Sequence, residues 1–336
     1  MPNSSLSLSQ FSNQKARSTR DGFGEALVEL GEVNKNIIVL TADLTESTKV
    51  ADFAKKFPER FIECGVAEQN MAGIAAGLAA CGKIPFITSY AVFSPGRNWD
   101  QIRVSICYSN LPVKIIGCHT GLSVGPDGAT HQALEDIALM RVLPNMTVVV
   151  PCDAIQAKQA TIEISKIPGS CYLRLTREVT PIITQENSKF QIGHIDILEN
   201  YGQDVAIIAC GPLVYQALVA AKELNDEGIK TTIINNHTIK PLDKAALLKV
   251  ARDCGAVVTV EEHQVAGGMG SAVSELFSAN YPIPMEFIGM QDSFGESGDP
   301  DQLLAKYGMS VAKIKEMVKK VIIRKPSYRT RLEERL

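Results

Sequence analysis

Short apolar runs that alternate with helical patterns constrain the fold of this chain more than any other feature of its sequence. Nine such runs occur, at 36–40, 84–88, 112–117, 146–150, 171–175, 204–210, 230–235, 256–261 and 285–288. Unbroken apolar runs of this length are typical of strands buried on both faces of a parallel sheet. The segments between them carry apolar residues at helical spacing, as Phe23, Leu27 and Leu30 illustrate. The sequence therefore predicts an α/β fold with two doubly wound domains and mostly parallel sheets.

The alternation is interrupted once, in a stretch rich in Thr, Pro, Gln, Asn and Ser, which we interpret as a linker between the two domains. The first domain is predicted at 17–178, the linker at 179–200 and the second domain at 201–323. The polar N-terminal residues 1–16 and the basic C-terminal residues 324–336 are predicted to be tails.

Composition excludes several classes of protein. The chain has 336 residues, a net charge of −3 and a pI near 6.0, which give no electrostatic footprint for nucleic acid. Its eight cysteines form no CxxC and no Cys/His ligand spacing, so we expect the reduced, buried thiols of a cytosolic protein. The N-terminus lacks the apolar core of a signal peptide, and the longest run of small and apolar residues, 71–81, is too short to span a bilayer. We therefore expect a cytoplasmic location.

Glu68 follows a short extended run and a glycine, and it leads into a predicted helix that carries almost no polar side chain. Two interpretations are open. An acid in the first turn complements the helix macrodipole, which is the commoner use and the one that position alone favours. Alternatively, Glu68 is a buried carboxyl whose pKa is raised by desolvation, so that it exchanges a proton with a ligand.

Polar and aromatic side chains follow the predicted strands of the first domain, where ligands bind in open α/β sheets. They are Asp43, Ser47, Tyr90, Phe93, Trp99, His119, Asp127, His131 and Arg177. Each has an ordinary alternative, namely packing for the rings, a structural loop for the histidines and a surface ion pair for Arg177. The histidine loop is rich in glycine and fits neither a helix nor a strand pattern, and such loops often carry function. In the second domain the group of side chains most suggestive of a functional site is Glu261–Gln264, but a loop followed by the start of a helix explains it adequately.

Six short motifs stand out along the chain: GVAEQN at 65–70, AAGLA at 75–79, TSYAVF at 88–93, WDQIR at 99–103, GPDGATHQ at 125–132 and LRLTR at 173–177. Together they resemble the thiamine diphosphate-dependent transketolases, in particular the C-terminal half of those enzymes. The resemblance covers about residues 17–320 and is specific, because several motifs match in order. It implies that the first domain is a pyrimidine-binding domain and that the second is the family's C-terminal domain.

The resemblance implies how the chain contacts the cofactor. Glu68 matches the glutamate that bonds the aminopyrimidine ring nitrogen and drives the imino tautomer, which removes the proton from the thiazolium carbon. Tyr90 and Phe93 correspond to the aromatic pocket around the pyrimidine. Asp43 and Trp99 are assigned as further cofactor contacts, and one inserted residue precedes Trp99.

The resemblance also implies a substrate pocket. His131 matches the histidine near the reacting oxygens of the substrate, and Asp127 matches the aspartate that reads a sugar hydroxyl. The groups that hold the sugar phosphate correspond to Arg20, Ser47, His119 and Arg177. Two arginine forks, an imidazole and a hydroxyl suit a dianion. Holding a remote phosphate keeps the reacting carbons in register.

One motif of the family is absent. Transketolases hold the diphosphate and its divalent metal with Gly-Asp-Gly, followed by a pair of asparagines, and this chain has no Gly-Asp-Gly. Two look-alikes, Gly298–Asp299 and Asn235–Asn236, lack the rest of the motif, and no histidines and cysteines stand at metal-ligand spacing. The resemblance therefore implies a partner subunit that carries the motif and holds most of the thiamine diphosphate and its Mg²⁺ (or Ca²⁺). It also implies an α2β2 heterotetramer with the cofactor between chains.

Three alternatives are less favoured. Deoxyxylulose-phosphate synthase is usually one long chain and lacks a histidine that matches His119. The β-subunit of a 2-oxoacid dehydrogenase E1 is a separate chain, but it is not expected to pair Arg20 with Arg177 or to carry Asp127. A non-catalytic scaffold relative would not be expected to retain Glu68 together with these groups.

We therefore predict the C-terminal subunit of a split transketolase, a transferase that is active only with its partner. It would transfer a two-carbon ketol group from a ketose phosphate to an aldose phosphate through a carbanion of the cofactor. The pentose phosphate pathway is the expected setting, while a variant specific for an unusual ketose phosphate stays open.

Overall fold

The computed structural model describes the backbone of residues 16–333 and the side chains of residues 16–325. The predicted N-terminal tail, 1–16, therefore lies outside the described residues except for Ala16. The last three residues of the predicted basic tail also lie outside them.

The strands of the described chain form a seven-stranded, a five-stranded and a two-stranded sheet. They are β1 (Ala16–Ser18), β2 (Ile37–Thr41), β3 (Phe61–Glu63), β4 (Ile84–Tyr90), β5 (Lys114–Cys118), β6 (Met146–Val149), β7 (Ser170–Arg174), β8 (Val179–Pro181), β9 (Asp196–Asn200), β10 (Val205–Ala209), β11 (Thr231–Asn235), β12 (Thr238–Lys240), β13 (Val257–Gln264) and β14 (Met285–Met290).

The helices lie mainly between these strands. They are α1 (Thr19–Val33), α2 (Ala51–Lys56), α3 (Glu68–Ala80), α4 (Trp99–Gln101), α5 (Asp136–Arg141), α6 (Ala154–Ser165), α7 (Leu213–Asp226), α8 (Lys244–Cys254), α9 (Met269–Asn280), α10 (Pro300–Lys306) and α11 (Val311–Glu333). A π-helical segment, Ile102–Tyr108, continues α4, and short 3₁₀ turns occur at Pro58–Arg60 and Leu122–Asp127. Within residues 16–333, none of the helices combines the length and the apolar composition that crossing a bilayer would require.

The seven-stranded sheet is the framework of the first domain. Its order is β12-β6-β7-β5-β4-β2-β3, and every neighbouring pair except β12 and β6 is parallel. The strands β2, β5 and β7 are buried along their whole length, as expected for apolar runs without alternation. Because β7, β5, β4 and β2 are adjacent and parallel, the residues that follow them meet at one edge of the sheet.

The five-stranded sheet is the framework of the second domain. Its order is β14-β13-β10-β11-β9, with only β9 antiparallel to its neighbour. On one face, Leu218 of α7 and Val318 of α11 share a buried cluster with Ile207 of β10. On the other face, Leu247 of α8 and Val273 of α9 share a cluster with other strand residues. Helices thus cover both faces of the sheet, and the predicted α/β fold class is confirmed.

Several short strands were not predicted. The strands β8 and β9 lie inside the predicted linker, where β8 pairs with β1 so that Ser18 lies opposite Val179. The strand β12 belongs to the second half of the chain but pairs with β6 of the first sheet. The strands β8 and β12 have only three residues, too few to show a period, and the partners of all three strands lie far away in sequence. The two domains therefore share an edge strand, which the sequence pattern did not reveal.

Candidate active site

Glu68 lies where α3 begins, after a turn in which Gly65 has a φ of +67°. Its side chain is only 1% exposed, and the Arg97 guanidinium donates from Nη1 to Glu68 Oε2 at 2.8 Å. The Ser89 hydroxyl donates to Oε1 at 3.4 Å, and the Asn98 amide donates to the Glu68 carbonyl at 3.1 Å. Glu68 thus opens the helix, as the first interpretation requires, and it is also buried, as the second requires.

Arg97 belongs to this site, although no sequence pattern marks it. It lies in the turn between β4 and α4, and its guanidinium carbon is 4.7 Å from the centre of the Phe93 ring. Its side chain is 47% exposed. A buried carboxylate requires a nearby cation or several hydrogen bonds. This need for a cation near Glu68 was the one signal from which a role for Arg97 could have been predicted, since the turn has neither helix nor strand periodicity.

Two aromatic rings and two histidine rings form one continuous surface, which we call the ring surface (Tyr90, Phe93, His119 and His131). Tyr90 and Phe93 are stacked, with ring centres 6.2 Å apart and an interplanar angle of 18°. His131 stands edge-on to both rings, at 5.9 and 5.4 Å. The His119 ring centre is 3.8 Å from that of Tyr90. Predicted cofactor contacts and predicted substrate contacts therefore lie side by side.

Arg20 joins the ring surface to a basic pocket. It donates from Nη1 to the Ser47 carbonyl at 2.6 Å and lies 3.5 Å from His119 Nε2. Its Nη2 donates to the Arg177 carbonyl at 2.7 Å, and Arg177 Nη1 lies 3.7 Å from Asp127 Oδ1. The residues predicted to hold the sugar phosphate and to read a hydroxyl are therefore neighbours, although they come from four separate segments of the first domain.

The start of α1 orients Arg20. Ser18 and Asp21 form a capping box. The Ser18 hydroxyl accepts the backbone N–H of Asp21, and the Asp21 carboxylate accepts the backbone N–H of Ser18. The Ser18 hydroxyl also accepts from Arg20 Nε at 3.2 Å. Because β1 pairs with β8, Ser18 is held opposite Val179, two residues beyond Arg177. The cap and the two-stranded sheet together bring the two arginines to the same pocket.

His119 is held in an unusual environment. Its φ of 55° lies in the left-handed region that few residues other than glycine adopt. Burial, the positive charges of Arg20 and Arg177, and His131 lower the pKa of His119 to about 3, so its imidazole is neutral near pH 7. Its Nδ1 is buried and has no hydrogen-bond partner among the described residues. An unpaired buried nitrogen is costly, so the His119 ring lacks one compensating hydrogen bond within the described residues.

Two predicted cofactor contacts lie in other surroundings. Trp99 donates from Nε1 to the Leu139 carbonyl at 2.9 Å, and its ring packs against the main hydrophobic cluster. Asp43 is exposed, and its amide donates to the Glu63 carboxylate at 2.7 Å. These contacts do not join either residue to the ring surface, and their cofactor roles remain predictions.

Together, Glu68, the ring surface and the pocket of Arg20 and Arg177 provide a buried carboxylate, flat rings and a cationic site for an anion. Within residues 16–325, no group of three or more His, Cys, Asp or Glu side chains is arranged to hold a metal ion. The site can thus contact a flat heterocycle at one end and an anionic group at the other.

Two family models match the chain, namely "Transketolase, pyrimidine binding domain" over residues 15–182 and "Transketolase, C-terminal domain" over residues 193–314. The chain is 46% identical over 308 residues to a "Putative transketolase C-terminal section" of Methanocaldococcus jannaschii, covering 90% of this chain and 96% of the relative. It is 41% identical over 306 residues to the "6-deoxy-6-sulfo-D-fructose transketolase subunit SqwH" of Clostridium sp. strain MSTE9, covering 91% and 95%. A solved "Split gene transketolase, inactive beta4 tetramer" superimposes with a TM-score of 0.86 at 48% identity, over 92% of this chain and 99% of that one.

Proposed function

Because the chain belongs to the transketolase family and corresponds to its separately encoded C-terminal section, we propose that the cluster described above transfers a two-carbon ketol group from a ketose phosphate to an aldose phosphate. Its function is that of a partner-dependent transketolase subunit, a transferase. The observation that carries the proposal is the unbroken series of contacts from Glu68 through Arg97 and the ring surface to Arg20 and Arg177.

The residues at the Glu68 end fit the aminopyrimidine half of thiamine diphosphate, the cofactor of this family. When bound, this cofactor supplies an electron-accepting centre that carries the two-carbon unit between sugars. Glu68 would hold the pyrimidine ring nitrogen, and Tyr90 and Phe93 would hold the ring face. Because the Glu68 side chain is 1% exposed, water does not compete for its carboxylate oxygens, which can hydrogen-bond a ring nitrogen.

The residues at the basic end fit a sugar phosphate. Arg20 and Arg177 supply charge, and the neutral His119 supplies a ring nitrogen without a partner among the described residues. Ser47 lies beside Arg20, and Asp127 beside Arg177, where it can accept a hydrogen bond from a sugar hydroxyl. His131 stands between the two ends, edge-on to Phe93, which suits a contact with the reacting oxygens. The expected setting is the pentose phosphate pathway.

We further propose that a partner subunit completes the site. The partner would carry Gly-Asp-Gly and would hold the diphosphate with Mg²⁺ or Ca²⁺, because this chain lacks that motif. The helix α3 is the proposed contact element, since a Cβ placed at Gly73 or Gly77 would meet no atom within 4 Å. An α2β2 heterotetramer is the proposed assembly. A cytoplasmic location accords with the eight free cysteines, of which six are buried.

Substitution of Glu68 tests the proposal. In the assembled complex, Glu68→Gln keeps the shape of the side chain but removes its ability to ionise, so ketol transfer should fall by about three orders of magnitude or more. The matched control is Glu163→Gln, an exposed acid on α6 paired with Lys166, which should leave the rate unchanged. Assembly of the complex, followed by size-exclusion chromatography, should be the same for both variants. Unchanged turnover in Glu68→Gln would support a non-catalytic scaffold instead.

A further inference from the structure

The loop that carries His119 and Asp127 has an uncommon backbone. We call residues 119–128 the substrate loop. His119 has a φ of 55°, and Gly121, Gly125 and Gly128 have φ values of 83°, 73° and 72°. Glycine adopts such φ values freely, but at His119 the left-handed conformation is costly and persists only where the surroundings hold the backbone. Some neighbouring structure must therefore hold this loop.

Glu262 lies on β13 of the second domain and contacts the substrate loop. Its side chain is 3% exposed, and its Oε1 accepts the backbone N–H of Ser123. A Cβ added at Gly121 would lie 2.5 Å from the Glu262 carboxyl carbon, so the loop passes directly over this carboxylate. Burial raises the pKa of the Glu262 carboxyl, against which the Ser123 hydrogen bond acts. The Glu262 carboxylate therefore fills the space between β13 and the substrate loop.

The first domain in turn fixes the backbone at Glu262. Arg174, at the end of β7, donates from Nη2 to the Glu262 carbonyl at 3.0 Å and to the Ala133 carbonyl at 3.2 Å. The same guanidinium forms a buried ion pair with Asp136, at 2.7 Å from Nε. The strand that carries Glu262 is thus tied to the sheet that carries the substrate loop.

A second segment of the second domain covers the other side of the substrate loop. Gln132 donates from Nε2 to the Leu122 carbonyl at 3.0 Å and to the Glu296 carbonyl at 2.9 Å, which bridges the two domains. A Cβ at Gly128 would overlap the Ser297 hydroxyl. Because Gly128 has no side chain, the substrate loop can approach Ser297 of the second domain closely. The substrate loop therefore lies between two parts of the second domain.

We propose that the second domain positions the substrate loop for catalysis and that Glu262 is its principal positioning residue. By holding the Ser123 amide, Glu262 keeps His119 and Asp127 where they contact the substrate. The second domain contributes none of the residues assigned to cofactor or substrate, and this contact gives it a role in the reaction. The proposal rests on the proposed function of the substrate loop in binding the sugar phosphate.

Hydrogen exchange in the full chain tests the contact without any partner. In Glu262→Ala the Ser123 amide loses a charged acceptor, so exchange of peptides covering residues 119–128 should speed up by about tenfold or more. Glu262→Gln retains an acceptor oxygen and should keep most of the protection. Glu261→Ala is the matched control, because this neighbouring buried carboxylate accepts from Met269 and Gly270 inside the second domain. It should leave the substrate loop protected.

Kinetics of the assembled enzyme test the consequence. Glu262→Ala should raise the KM for a phosphorylated sugar about tenfold and change kcat less, and Glu262→Gln should restore most of the loss. Unchanged loop exchange in a folded Glu262→Ala, or a looser loop with wild-type kinetics, would overturn the proposal. If Glu262→Ala does not fold, the same exchange and kinetic measurements are made on Gln132→Leu, which removes the hydrogen bonds that Gln132 makes to Leu122 and Glu296. A wild-type complex without ketol transfer would overturn the proposed function, whereas the exchange data would still decide whether Glu262 holds the loop.

Discussion

The ion pair between Glu68 and Arg97 leads to a quantitative prediction. Removing one partner of a fully buried pair costs about 3–5 kcal/mol, and an exposed pair contributes about 0–1 kcal/mol. Here the Glu68 side chain is 1% exposed but that of Arg97 is 47% exposed, so solvent screens part of the interaction. We therefore expect Arg97→Met to lower the free energy of unfolding by about 1–2 kcal/mol near pH 7.

The assay is a double-mutant cycle of urea unfolding on the chain alone. The sole tryptophan, Trp99, lies in the first domain two residues after Arg97 and packs against the main hydrophobic cluster, so its fluorescence reports unfolding of that domain. In a Glu68→Gln background the loss caused by Arg97→Met should shrink, giving a coupling of about 1–2 kcal/mol. The control cycle uses Glu163 and Lys166, an exposed pair whose coupling should be about 0.3–0.5 kcal/mol. A coupling for the Glu68 pair no larger than that of the control would show that burial of Glu68 does not strengthen its ion pair with Arg97.

Three further predictions concern the pocket, pH and assembly. His119→Ala should raise the KM for phosphorylated sugars about 10–100-fold, and an equal loss with a non-phosphorylated acceptor would contradict the phosphate role. Burial raises the pKa of Asp196 to about 6 from an ordinary 3.8. The folded state then binds more protons than the unfolded state between about pH 4 and 6, so stability falls as pH rises through this window. A shift of this size corresponds to about 3 kcal/mol. Because the Asp196 side chain is 35% exposed, solvent screening reduces the effect, so Asp196→Asn should remove about 2 kcal/mol of that fall in urea titrations. Identical pH profiles would contradict this prediction. Gly77→Trp should leave the melting temperature of the lone chain unchanged or higher but weaken its association with the partner about tenfold or more, as measured by calorimetry. Wild-type association would exclude α3 from the interface.

The sequence predicted the framework of the site because its signals are local. Apolar runs mark the buried strands, and polar residues that follow parallel strands must meet at one edge of the sheet. His119, Asp127 and Arg177 are therefore neighbours in the structure, as their positions after the strands implied. Arg20 required the family resemblance, since it precedes the first strand of that sheet.

Arg97 and Glu262 could not be predicted from the sequence, because their importance depends on neighbours that are distant along the chain. Arg97 pairs with a carboxylate 29 residues away, and Glu262 accepts from an amide 139 residues away. A local pattern explained Glu262 as part of a loop and helix start, whereas the structure places it at the end of a buried strand, against the substrate loop. The three-residue strand β12 was missed for the same reason, since only its partner β6 defines it.

We propose that this chain supplies half of an active site that a partner subunit completes. The most direct measurement is to recover the tagged chain from its native cells with thiamine diphosphate and Mg²⁺ present, and to assay the recovered material for ketol transfer. We expect an equimolar second chain that contains Gly-Asp-Gly and paired asparagines, with activity that neither chain shows alone. A lone chain that binds the cofactor and transfers ketol groups by itself would contradict it.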